Sequence, residues 1–163
     1  MSAALAVLSL AATARAAGQS LLDRWDALET TYGVHLTAPV TLPTPSPAQV
    51  MTRLRADPPA GLAGLPVTGV TDLAAGPGAT GPGAEGTGAG DGTGGLPPSD
   101  VLTYHLPGAR VVIRPSGTEP KLKAYLEVVE PVAGRPLASA RAAATARLAP
   151  LREAVAALVS AGA

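Results

Sequence analysis

A chain of 163 residues has room for one domain of ordinary size and its appendages, and this one must fill a core with no phenylalanine, one tryptophan and three tyrosines, so Leu, Val, Ile and Ala carry the burial. Twelve basic and twelve acidic residues cancel, which removes any global electrostatic reason to bind nucleic acid or an anionic membrane, and neither is expected as a partner. With no cysteine, a disulfide framework and a thiolate metal site are excluded, two isolated histidines, His35 and His105, cannot make a zinc site unaided, and a cytoplasmic setting is the default expectation.

Residues 1–18 are apolar and short like a secretory signal, but they lack a basic start, since Arg15 follows the apolar run. Leu5, Leu8, Ala12 and Leu22 are spaced for a helix face, and the run is too short to span a bilayer. Ser20 and Asp23 form a capping signature ahead of Leu21, Leu22, Trp25, Leu28 and Tyr32. This predicts a helix over 20–32 that stops at Gly33 and carries an apolar strip in need of a partner. Pro39, Pro43 and Pro45 exclude helix from 37–45, which reads as an extended strand or linker and as a domain boundary. Ser46, Pro47 and Gln49 then start a helix through Val50, Met51 and Leu54 that ends at Asp57-Pro58-Pro59. A short strand is expected over 65–73.

Ten of the 22 residues from 74 to 95 are glycine, with no large apolar side chain among them. Such a tract cannot offset its ordering entropy and is expected to be a flexible loop. It contains no GxGxxG in a strand-to-helix setting and no GxxxxGK[ST], so a phosphate-loop reading of it fails.

Leu102, Tyr104 and Leu106 alternate with Thr103 and His105, which predicts a half-buried strand with His105 on its polar face, as a surface residue and not a catalytic base. Pro107-Gly108 suits a type II turn, and 110–114 returns as the hairpin partner. Next come Arg114-Pro115-Ser116-Gly117-Thr118-Glu119-Pro120 and a further strand over 121–129. One guanidinium, two hydroxyls and a glycine that lets a ligand approach the backbone N–H groups make an oxyanion grip, for which phosphate is the natural guest. From 110 to 123 the chain holds Arg110, Arg114, Lys121 and Lys123 against Glu119, and these are the only two lysines present. The plain alternative is a solvated strand edge guarded by lysines. Leu137, Ala140, Ala144, Leu148, Leu151, Val155 and Leu158 trace a helix stripe able to cover the sheet, with Pro150 predicted to divide it into two pieces near 147–149. The fold class expected is α+β, a small antiparallel sheet covered by helices on one side.

The run RPSGTEPKLKAYLE resembles the phosphate-binding signature in the last domain of the α-D-phosphohexomutases, the phosphoglucomutase and phosphomannomutase enzymes. LLDRWDALETTYGV and MTRLRADPPAGLAGLPV resemble the segment joining their third and fourth domains, and 1–18 resembles the closing helix of the third. The resemblance implies a fold like that of the TATA-binding protein over 46–163, a linker at 37–45, and helices of a truncated upstream domain over 1–36. It implies that Arg114 clamps a hexose phosphate, that Ser116 and Thr118 donate hydroxyl hydrogen bonds, that Gly117 contributes its N–H, and that Glu119 is structural, bonding to the loop or to Lys121. No serine loop for phosphoryl transfer, Asp-x-Asp-x-Asp-Arg magnesium loop or Gly-Glu-x-Ser-Gly-type sugar loop occurs in these 163 residues. No catalytic residue and no cofactor is therefore expected in this chain; Mg2+ is expected in an intact enzyme alone. The chain is expected to be the C-terminal portion of a longer enzyme, inactive by itself, with the missing mutase domains as partners in cis or trans. The alternatives are a stand-alone phosphosugar- or phosphate-binding module and a non-catalytic remnant that docks on another protein.

Overall fold

The structure is a computed structural model and describes residues 2–75 and 98–161. From residue 76 onward the glycine-rich tract, where a flexible loop is expected, lies outside the described residues.

Helix α1 (Ser2–Ala16) is followed by α2 (Leu21–Tyr32), and the two axes bend by 96° at their junction. The capping box forms as the residue types require: the Asp23 backbone N–H donates to Ser20 Oγ and the Asp23 carboxylate accepts from the Ser20 N–H. Gly33 closes the helix at φ +92°, its N–H donating to the Glu29 carbonyl, and a side chain there would strike the Glu130 carbonyl at 3.1 Å. No single helix among the described residues is long and apolar enough to cross a membrane.

Strand β1 (Val34–Pro43) follows at once, and then α3 (Pro47–Ala56). Pro47 takes the first helical turn, but the Ser46 hydroxyl makes no cap; the Ser46 N–H turns back to Thr44 Oγ1 instead. The strand expected over 65–73 divides into β3 (Leu65–Pro66), which pairs with β2 (Gly61–Leu62), and β4 (Gly69–Asp72), which ends in a single 3-10 turn, Leu73–Ala75. Then come β5 (Leu102–Leu106), β6 (Ala109–Pro115), β7 (Lys121–Glu130) and α4 (Leu137–Ser160). Gly108 takes φ +63° in the two-residue turn between β5 and β6, as the second central position of a type II turn demands.

The main sheet is five-stranded and antiparallel, in the order β1-β7-β6-β5-β4. Of the two readings of 37–45, strand and linker, this selects the strand through Pro43 and corrects the linker and boundary placed there. The segment is extended as its prolines require, but through Pro43 it is hydrogen-bonded along β7 from Val34↔Glu130 to Pro43↔Lys121. It lies at the sheet edge, where a proline's missing N–H deprives no second neighbour. Alternation sends Leu36, Val40 and Leu42 inward beside Leu122, Ala124, Leu126 and Val128 of β7, Val111 and Ile113 of β6, and Leu102 and Tyr104 of β5. Helices α3 and α4 cover this face with Val50, Met51 and Leu54 and with Ala140, Ala144, Leu151 and Val155, all in one continuous core. The α+β class and the one-sided helical cover are thus as the periodicity predicts.

Helix α4 does not divide at Pro150; it runs unbroken from Leu137 to Ser160. Proline removes one donor, leaving the Ala146 carbonyl without a helical partner. Both residues sit on the exposed side, where that carbonyl meets solvent, while Ala144 and Leu151 keep the buried stripe in register across the gap.

Candidate functional site

Helices α3 and α4 occupy one side of the sheet, and among the described residues the other side is open. The register places His35, Thr37, Pro39 and Thr41 of β1, Lys123, Tyr125 and Glu127 of β7, and Arg110, Val112 and Arg114 of β6 on that open face. Hydrophobic burial thus disposes of one parity of each strand, and the opposite parity carries the charge.

Residues 116–120 join β6 to β7 at one end of this face. Their backbone is held at three points: the Ser116 N–H donates to the Lys121 carbonyl at 2.9 Å, the Lys121 N–H to the Glu119 carbonyl at 2.8 Å, and the Thr44 N–H to the Pro120 carbonyl at 3.1 Å. The last bond ties the loop to the end of β1. Glu119 forms an ion pair with Lys121, as its structural reading anticipates. The hydrogen bond from Lys121, its charge and that of Lys123 hold the Glu119 carboxyl below its ordinary pKa.

Arg114 stands at the end of β6 and is exposed; Ser116, half-buried, and Gly117 and Thr118, exposed, follow in the loop. All four predicted site residues therefore fall within five consecutive positions at one end of the sheet. Among the described residues, neither the Arg114 guanidinium nor the hydroxyls of Ser116 and Thr118 has a hydrogen-bond or ion-pair partner. A Cβ added at Gly117 would meet nothing within 4 Å, so the backbone there is open to approach.

The structure also resolves which of the local positive charges are committed. Arg110 is paired with Glu127, whose other carboxylate oxygen lies 3.1 Å from His35 Nδ1. Burial pushes the Glu127 carboxyl up, but His35 and Arg110 outweigh it and the net direction is down. Lys121 is taken by Glu119. Among the described residues what remains is Arg114 and Lys123, which the register sets directly opposite each other on adjacent strands. Lys123 enters the sequence reading as one charge in a count; its place beside Arg114 depends on the register of two strands, which the sequence alone does not display. Two like charges in that position repel unless an anion lies between them.

Farther along the open face a shallow hollow of about 350 Å³ is lined by Thr37, Pro39, Arg110, Val112, Tyr125 and Glu127. Trp25, Leu28, Tyr32 and His35 line a second, of about 250 Å³, where α2 meets the start of β1. Among the described residues no three His, Asp or Glu side chains are arranged to hold a metal ion. His105 is exposed on β5 and bonds Thr71 Oγ1 at 3.1 Å, a surface residue as its strand parity predicts.

Fold and loop together define a class: an α+β domain with one face sealed by helices and a cationic, hydroxyl-bearing loop at the end of the other. A family profile described as "Phosphoglucomutase/phosphomannomutase, C-terminal domain" matches residues 51–144, and the chain belongs to that family. It is 30% identical over 131 residues to a probable phosphomannomutase of Haemophilus influenzae, a match covering 78% of this chain and 23% of that protein. The chain thus spans about a quarter of the length of the curated relative it matches.

Proposed function

We propose that this domain is the phosphate-binding lid of a phosphohexomutase, closing on a hexose phosphate while other domains carry out phosphoryl transfer. The observation that carries the reading is the placement of Arg114 directly opposite Lys123 at the mouth of a loop with two hydroxyls and an exposed backbone. The Arg114 guanidinium takes two phosphate oxygens through its planar fork, and Lys123 adds a point charge from the neighbouring strand. Ser116 and Thr118 donate through their hydroxyls, and the Gly117 N–H fills a remaining lone pair. Glu119, held ionised by Lys121, keeps that lysine at the base of the loop and out of the site.

The role follows from what this arrangement can do. It grips a phosphate but, among the described residues, presents no nucleophile with an adjacent base and no acid–base pair in reach of the loop. It is therefore assigned to the phosphate that is not being transferred, where binding orients the sugar and closure keeps water from the reacting end. The chemistry is left to other domains, supplied in cis or in trans.

The inverted amphipathicity of α2 supports this partnership. Its polar side faces inward, with Arg141 Nε of α4 donating to Glu29 Oε2 at 2.8 Å and a second nitrogen reaching Asp26. Leu21, Leu22, Trp25, Leu28 and Tyr32 face outward and are all exposed, as are Leu5, Val7, Leu8 and Leu10 of α1. Such a strip marks a surface for further protein.

The test is turnover. The purified chain is expected to convert neither glucose 1-phosphate nor mannose 1-phosphate, and to restore activity when mixed with a protein comprising the first three domains of a family member. Turnover by the chain alone, or restoration by the Arg114→Ala variant as good as by the wild type, would contradict the proposal.

A further inference from the structure

We propose that Tyr125 is a positioning residue for the phosphate grip, its ring holding the Arg114 guanidinium in place before any anion arrives; the inference rests on the binding role given to Arg114 above. The guanidinium carbon of Arg114 lies over the Tyr125 ring, 5.9 Å from its centroid. Among the described residues this is the one polar interaction that orders it. The two side chains are diagonal neighbours on the open face, since Arg114 is opposite Lys123 and Tyr125 is opposite Val112.

The ring is itself exposed, but it is flanked on both sides. Its cross-strand neighbours are Val112 on β6 and Pro39 on β1, which stand on either side of it and line the same hollow. Pro39 is a rigid side chain at an edge position where proline is tolerated, so the ring has a stable flank on the open side of the sheet. The electron-rich ring face attracts the cation. The attraction is between the cation's charge and the ring face and needs no lone pair, so the group is drawn into place without a competing acceptor for the N–H donors that a phosphate needs. A lysine at 114 would lack the flat surface, and an aliphatic residue at 125 would leave the arginine to search its rotamers at each encounter.

The experiment uses the full chain, with Tyr125→Phe, Tyr125→Leu, and Tyr125→Leu combined with Arg114→Ala. In the free protein the Arg114 Hδ resonances are expected upfield, shifted by the ring current, in wild type and Tyr125→Phe and not in Tyr125→Leu. Titration with inorganic phosphate is expected to give a Kd about two- to fivefold weaker in Tyr125→Leu, the range an exposed cation–π contact supports, and one close to wild type in Tyr125→Phe. Adding Tyr125→Leu to Arg114→Ala should cost nothing further. Tyr125→Leu binding phosphate as tightly as wild type, or a loss of equal size in the Arg114→Ala background, would overturn the inference while leaving the grip intact. A wild-type protein that does not bind phosphate would overturn the grip, and this role with it, even where the ring-current shift is present.

Discussion

Neutralising Lys123 is expected to separate binding from stability with opposite signs. In the ligand-free protein Arg114 and Lys123 face each other across β6 and β7 with no carboxylate bonded to either among the described residues. Two unit charges about 6 Å apart repel by roughly 0.7 kcal/mol in water, and salt at physiological strength screens part of that. The exposed charge of Glu119, which reaches Lys123 but is bonded to Lys121, offsets a further fraction. Lys123→Gln should therefore raise the ligand-free melting temperature by about 1 to 2 °C at low salt, given roughly 2 to 4 °C per kcal/mol for a chain of this size. The same change removes one charged contact to phosphate, worth about 1.5 to 3 kcal/mol, which is a tenfold or greater loss of affinity. Calorimetry with inorganic phosphate and thermal melts in low-salt buffer, with and without phosphate, measure both. A variant that melts more than 2 °C below wild type without phosphate, or that binds phosphate as tightly, would refute the reasoning.

Gly117→Ala should leave the melting temperature nearly unchanged, because the added methyl meets open space, while weakening phosphate binding by crowding the backbone approach; calorimetry and melts on one sample check this. Tyr104 is fully buried, its hydroxyl donating to the Leu54 carbonyl at 3.2 Å, and burial raises its pKa from the ordinary 10.0 to about 12. The folded state therefore resists ionisation that the unfolded chain accepts, so the stability involved is complete below pH 10 and is lost as pH rises toward 12. That loss is about 2 to 3 kcal/mol, and urea unfolding at pH 9 and pH 11.5 should show it in wild type and not in Tyr104→Phe. Trp25→Gln with Leu28→Gln should not destabilise the isolated chain, since both side chains are exposed, but should abolish association with the preceding mutase domains in a sedimentation assay.

Local chemistry was legible wherever a few adjacent residues decide the outcome. Ser20 with Asp23, Gly33, and Pro47 each mark a helix end through one hydrogen bond or one dihedral angle, and the structure places the ends there. The loop at 116–120 was legible for the same reason, bounded by β-branched and alternating runs whose parity the core enforces. What escaped was non-local. Residues 34–43 join the sheet by pairing with a strand 78 to 96 positions away, and the prolines at 39, 43 and 45 left an extended strand and a linker both open. Pro150 predicts a break on local grounds, yet α4 is held along its length by β1 and β7 and continues. At the site, Arg114, Ser116, Gly117 and Thr118 were legible as a group because they are contiguous. The commitment of Arg110 to Glu127, and the placing of Lys123 and Tyr125 around Arg114, depend on strand register, which no single segment encodes.

The most direct test of the central claim, that the bend after β6 holds a phosphate, is an amide chemical-shift titration of the labelled full chain with a hexose phosphate. The account predicts saturable shifts at Ser116, Gly117, Thr118 and Lys123, with the core strands silent, and their loss in Arg114→Ala. Spectra unchanged at millimolar ligand, or shifts centred away from residues 113–123, would contradict it.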